Sequence, residues 1–157
     1  MTIEVKNSIK PLDYVESINM LEKRVEEVLL GRKNELLWIL EHKTVYTGGT
    51  SSNQKDLINK SIKIIKTNRG GKITYHGPGQ RIVYLLINLK KRKKDIRKFV
   101  NIIENSTIQV LKAFDIEAKT FSDRIGIWVT KNKKNKLEKE RKVGAIGLRV
   151  KNWITYH

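Results

Sequence analysis

The sequence predicts an α/β or α+β domain in which helices flank a mixed β-sheet. Two stretches repeat apolar residues every three or four positions, and several short runs rich in β-branched and aromatic residues lie around them. A length of 157 residues with 39% hydrophobic content suits one core. No internal repeat is visible.

In chain order, Asp13 is placed to cap a helix whose apolar positions Val15, Ile18, Leu21, Val25, Val28 and Leu29 lead to Gly31. The run LLWIL at 36–40 is too short for a helix and reads as a strand covered on both faces. HKTVYTGGTSSN then reads as a loop, with a helical turn over 54–59. Strands are expected at 62–67, 72–76 and 81–88. Asp95 opens a second amphipathic helix through Phe99, Val100, Ile103, Val110, Leu111 and Phe114, expected to cover the sheet. Strands at 116–120, 124–130 and 142–150 complete the set, and the charged stretch TKNKKNKLEKERK reads as an exposed hairpin tip or mobile loop.

Composition excludes several classes. No stretch reaches the roughly 18 uninterrupted apolar residues of a membrane span, and the N-terminus lacks a signal-peptide core, so a cytoplasmic protein is expected. With no cysteine, these residues offer no disulfide, cysteine zinc site or thiol nucleophile. His42, His76 and His157 show no metal-binding spacing, so no metal is expected. A net charge of +17 suits nucleic-acid binding, with KKRKK at 90–94 and the 131–142 stretch as phosphate contacts. No nucleic-acid-binding motif accompanies it, so no specific nucleic acid is expected, and the same charge would steer an acidic protein partner.

The densest glycines lie in RGGKITYHGPGQ at 69–80. Gly70, Gly71, Gly77 and Gly79 would let main chain approach a ligand and hold a carbonyl oxygen on N–H groups, or simply make two tight turns around a strand. The spacing matches neither phosphate-loop signature.

Taken whole, RGGKITYHGPGQ resembles the signature of the lipoyl(octanoyl) transferases. LLWILEHKTVYTGG is similar to that family's preceding strand and loop, and KVGAIGLRV followed by WITYH looks like its second conserved block. The resemblance implies the α/β scaffold shared with lipoate and biotin ligases, as one domain over 1–157 with the C-terminal part of that scaffold missing. It implies transfer of an octanoyl group from octanoyl-acyl carrier protein to a specific lysine of lipoyl domains, those of 2-oxoacid dehydrogenases and the glycine cleavage H protein, through an enzyme cysteine thioester and without a cofactor. By motif match Lys142 is the lysine that lowers the pKa of that cysteine. Arg69, Gly70, Gly71, Lys72, Ile73, Thr74, Tyr75 and His76 match the first substrate-binding segment, and Ala145, Ile146 and Gly147 the second. His76 is a candidate hydrogen-bonding group near the reacting carbonyl; Tyr46 and Tyr75 read as pocket walls or core.

In the family the cysteine follows in a Pro-Cys-Gly segment after the block that here ends on His157. The expectation is a fragment, an interrupted product, or a chain without transferase activity of its own. An ATP-dependent lipoate or biotin ligase relative, which needs no cysteine, is the alternative within the superfamily.

Overall fold

The computed structural model describes residues 2–124, 126–132 and 140–157. Much of the charged 130–142 stretch, expected as a hairpin tip or loop, lies outside them, as does Ile125 in the expected 124–130 strand. The chain forms two compact units, residues 1–94 with 147–157, and residues 95–146.

In the first unit, β1 (Ile3–Asn7) runs parallel to β2 (Glu35–Leu40), which pairs antiparallel with β6 (Ile82–Leu86). Helix α1 (Tyr14–Leu29) begins where the Asp13 side chain accepts from the Glu16 N–H at 3.1 Å. Its Leu21, Val25 and Val28 meet Leu36, Trp38 and Leu40 of β2 and Tyr84 and Leu86 of β6. Successive strand side chains point to opposite faces, so the even-numbered positions of both strands enter this core. Each fully buried leucine contributes about 1.5–3 kcal/mol. The other face is less covered than the LLWIL run predicts: Leu37 and Ile39 are half-buried, and Val5 and Val83 beside them are exposed.

A second sheet of this unit has β3 (Val45–Gly48) at its centre, parallel to β4 (Ile64–Lys66) and antiparallel to β5 (Ile73–His76). Two short 3-10 turns lie at Gln54–Asp56 and Leu89–Lys91. The β3 strand corrects the loop reading of 42–53, where the glycines after Val-Tyr-Thr mask a strand of four residues.

The second unit holds α2 (Ile96–Ala113), capped by the Asp95 side chain, and an antiparallel sheet in the order β7 (Ile116–Lys119), β8 (Ile127–Asn132), β9 (Arg141–Gly144). The helix packs along β7, yet none of its residues is buried, because three short strands cannot cover a helix of 18 residues. The strand predicted over 142–150 stops at Gly144; residues 145–149 are irregular. In the first unit β10 (Val150–Lys151) and β11 (Ile154–Thr155) form a hairpin, and an Asn88–Ile154 bridge ties it to the segment after β6. The α+β class and mixed pairing follow the sequence prediction, with the strands among the described residues divided between three three-stranded sheets and this hairpin.

Candidate active site

Strand pairing in the first unit places Thr47 opposite Thr74 and Val45 opposite His76. Arg69 folds back over this pair. Its Nη2 donates to the Thr47 carbonyl at 3.0 Å, to Thr47 Oγ1 at 2.8 Å and to Thr74 Oγ1 at 2.6 Å, and Nη1 donates to the Gly70 carbonyl at 2.9 Å. Arg69 is only 6% exposed, and among the described residues no carboxylate pairs with it. Burial works against its charge, although a guanidinium stays protonated. A buried cation without a counter-charge is costly unless an electron-rich oxygen meets it. The turn that makes this arrangement depends on glycine. Gly71 has φ +88°, and a Cβ on Gly49 would collide with the Gly70 and Gly71 carbonyls. The Thr50 N–H donates to the Arg69 carbonyl at 2.8 Å and the Ser51 N–H to that of Gly71 at 3.1 Å, which laces the two loops together.

Beside Arg69 the three histidines, distant in sequence, gather around Tyr14 and Tyr84. Ring centres of Tyr14 lie 5.3 Å from His42, 6.2 Å from His76 and 5.7 Å from His157, and Tyr84 lies 5.8 Å from His42 and 5.7 Å from His157. A carbonyl only accepts, so the 3.2 Å contact to the Leu12 carbonyl places the proton of neutral His42 on Nδ1. Nε2 then accepts from the Tyr84 hydroxyl at 2.7 Å. By the same reasoning His76 Nδ1 donates to Gln80 Oε1 at 2.9 Å, which turns Nε2 toward Thr74 Oγ1 at 3.3 Å. His157 Nε2 is joined to the Tyr14 hydroxyl at 2.6 Å, while its buried Nδ1 has no partner among the described residues.

Desolvation dominates the electrostatics. It lowers His42 and His76 below the usual imidazole range and, helped by Arg69 and Arg149, lowers His157 to about 3. It raises Tyr14 to about 12 and Tyr84 above the usual phenol range. At neutral pH the cluster is an uncharged hydrogen-bonded wall around one buried cation. Such a site can hold a carbonyl or carboxylate oxygen on Arg69 and the threonine hydroxyls. Among the described residues no group of three or more His, Cys, Asp or Glu side chains is arranged to hold a metal ion.

Of the predicted segment 69–76, the structure brings together Arg69, Thr74 and His76, with the turn glycines Gly70 and Gly71. The alternation of β5 sends its other side chains elsewhere: Ile73 lines a separate cavity, and Tyr75 packs on Tyr46 with ring centres 5.2 Å apart. Lys72 is exposed and lies 3.9 Å from Asp56. Gly147 joins the site, since a Cβ there would lie 3.9 Å from Arg69 Cδ. Tyr14, Tyr84 and Thr47 are the residues that sequence reasoning missed. Tyr14 starts a helix and Tyr84 reads as a core strand position, so neither carries a local functional signal.

Lys142 belongs to the second unit with Ala145 and Ile146. It sits in β9 opposite Trp128, with Nζ 5.8 Å from the centre of that ring. Its side chain crosses Gly126, where any Cβ would collide with Lys142 Cε. Lys142 and Ala145 are exposed and Ile146 is half-buried.

Comparison with known proteins gives this geometry a family. Residues 13–157 match the lipoyl protein ligase A/B catalytic domain. The chain belongs to that family. Among curated relatives, an octanoyltransferase of Bartonella tribocorum is 42% identical over 160 residues, covering 99% of this chain and 65% of the relative. One from Wolbachia pipientis is 44% identical, covering 92% of this chain and 69% of the relative, and one from Parvibaculum lavamentivorans is 41% identical over 94% and 65%. The chain thus spans about two thirds of the length of these lipoyl ligase-family relatives. No described helix is long and apolar enough to cross a membrane.

Proposed function

We propose that residues 1–157 form the acyl-binding part of an octanoyltransferase catalytic domain, which moves an octanoyl group from octanoyl-acyl carrier protein to a lysine of lipoyl domains in the cytoplasm. The acceptors are the lipoyl domains of 2-oxoacid dehydrogenases and the glycine cleavage H protein, and the product is the first intermediate of protein lipoylation. The observation that carries this reading is Arg69, a buried guanidinium with no carboxylate partner among the described residues, held by Thr47 and Thr74 beside Gly147. The octanoyltransferase names of the curated relatives support the same reading.

In this scheme Arg69 and the Thr74 hydroxyl bind the acyl carbonyl oxygen and stabilise the charge that develops there when a nucleophile attacks. The neutral histidine and tyrosine wall keeps water away and fixes the side chains around Arg69. Gly70, Gly71 and Gly147 keep the approach to the carbonyl open. The Lys142 ammonium stabilises a thiolate and exchanges a proton with the leaving or incoming group. The chain contains no cysteine, so the thioester must form on a thiol outside these 157 residues. No cofactor or metal enters the scheme.

The lack of cysteine favours one second reading, an ATP-dependent ligase of the same family. One titration separates them. The purified chain should bind octanoyl-acyl carrier protein at least about tenfold more tightly than the acyl-free carrier, without ATP. Equal affinity for both carriers would sink the transferase reading, and release of pyrophosphate from ATP with free octanoate would establish the ligase.

A further inference from the structure

The sheet that carries Thr47 and Thr74 has a second face, and its neighbours leave a hollow there. Gly48, at the centre of the sheet, pairs with Lys66 on one side and Ile73 on the other. The absence of a side chain on Gly48 lets Ser52 and Ile64 close over the sheet, since a Cβ there would press on Ser52 Oγ at 3.0 Å and Ile64 Cγ2 at 3.2 Å. Beside them lies a cavity of about 590 Å³ with Leu57, Ile62, Ile64 and Ile73 as its apolar walls and Ser52, Asn53 and Gln54 as its uncharged polar lining. Lys55, Lys60 and Lys66 also line it, all three are exposed, and no carboxylate is among its lining residues. Ile58, next to Leu57, is fully exposed.

From this combination we infer that the cavity is the docking site for an acidic carrier protein, one that presents an apolar side chain ringed by carboxylates. The apolar hollow takes the side chain, and the three lysines pair with the ring. Charge complementarity selects this occupant: a pocket with apolar walls whose charged lining groups are all ammonium is matched by an acidic amphipathic helix, whereas a neutral apolar segment would leave the lysines unmatched. Position agrees with the sign. Ile73 and Thr74 are consecutive in β5, so one strand offers its docking face on one side and the Arg69 site on the other. This inference rests on the proposed function, because it names the surface that receives the acyl donor.

The test is fluorescence anisotropy of labelled octanoyl-acyl carrier protein with the whole chain. Three variants are compared after thermal melts confirm folding: Lys55→Glu/Lys60→Glu/Lys66→Glu, a control of equal charge change at the exposed Lys90, Lys91 and Lys93, and Leu57→Ser. The first should weaken binding at least about tenfold and flatten its salt dependence, while the control changes it by no more than about twofold. Leu57→Ser should weaken binding several-fold with the salt dependence unchanged. If the wild-type chain binds the carrier but the first variant behaves like the control, the docking site is refuted and the transferase reading stands. If the wild-type chain does not bind the carrier at all, both fall. If the first variant loses affinity for a DNA or RNA oligomer but keeps it for the carrier, the lysines serve nucleic acid and the inference is wrong.

Discussion

Arg69 in the first unit and Lys142 in the second are two of the cations in the motif segments, and the protein treats them in opposite ways. Arg69 is buried, donates to three oxygen atoms of Thr47 and Thr74 and to the Gly70 carbonyl, and sits near Tyr14, Tyr84, His76 and His157, whose titratable groups burial holds neutral. Lys142 is exposed and touches a glycine and the face of an indole. The first unit therefore holds its cation in a fixed, buried hydrogen-bonded setting, whereas the second presents a cation with little stability at stake. The difference also follows the cores, since α1 buries Leu21, Val25 and Val28 while α2 buries nothing.

The contrast sharpens first in core substitutions. Leu86→Ala, at a fully buried site of the first unit, should cost about 2–5 kcal/mol in urea unfolding. Val110→Ala on α2, where the valine is 58% exposed, should stay within about 0.5 kcal/mol. A large loss at Val110 would remove the distinction between the units.

Acid should act through the first unit. His42, His76 and His157 have folded pKa values below 6.5, so below that pH the unfolded chain binds more protons and stability falls as pH falls. For His157 the window runs from 6.5 down to about 3. Each such histidine contributes up to about 1.4 kcal/mol per pH unit within its window. Urea midpoints measured between pH 7 and 4 should decline, and His42→Gln should make the decline shallower; an unchanged slope would show that His42 titrates normally.

Smaller effects discriminate further. Tyr84→Phe removes the donor to His42 Nε2 and should cost about 1–3 kcal/mol, without a large change in volume. Asp95→Ala removes the cap of α2 and should cost about 1 kcal/mol. Lys142→Ala should be nearly silent in stability, within about 0.5 kcal/mol, and a thermal melt suffices to check it.

Much of this was legible in the chain. Asp13 and Asp95 sit at the helix starts they signal, and the β2 and β6 runs are where hydrophobic patterning puts them. The strand β1 was less visible because only Ile3 and Val5 alternate with charged residues, and β3 was hidden by the glycines beside it. The turn glycines stood out in the sequence, whereas Arg69 was singled out only by the resemblance of its segment to the transferase signature. The assembly around them was not: Tyr14 and His157 are 143 positions apart and meet only through tertiary packing. The split of segment 69–76 between two faces follows from strand alternation, which motif matching ignores.

The most direct measurement is the affinity of the chain for octanoyl-acyl carrier protein relative to the acyl-free carrier, in the wild type, Arg69→Gln, the milder Thr74→Val, and Lys142→Gln. If the buried Arg69 site holds the acyl oxygen, Arg69→Gln abolishes the preference for the acylated carrier, Thr74→Val reduces it, and Lys142→Gln leaves it in place. A preference that survives in folded Arg69→Gln and Thr74→Val protein would contradict the assignment.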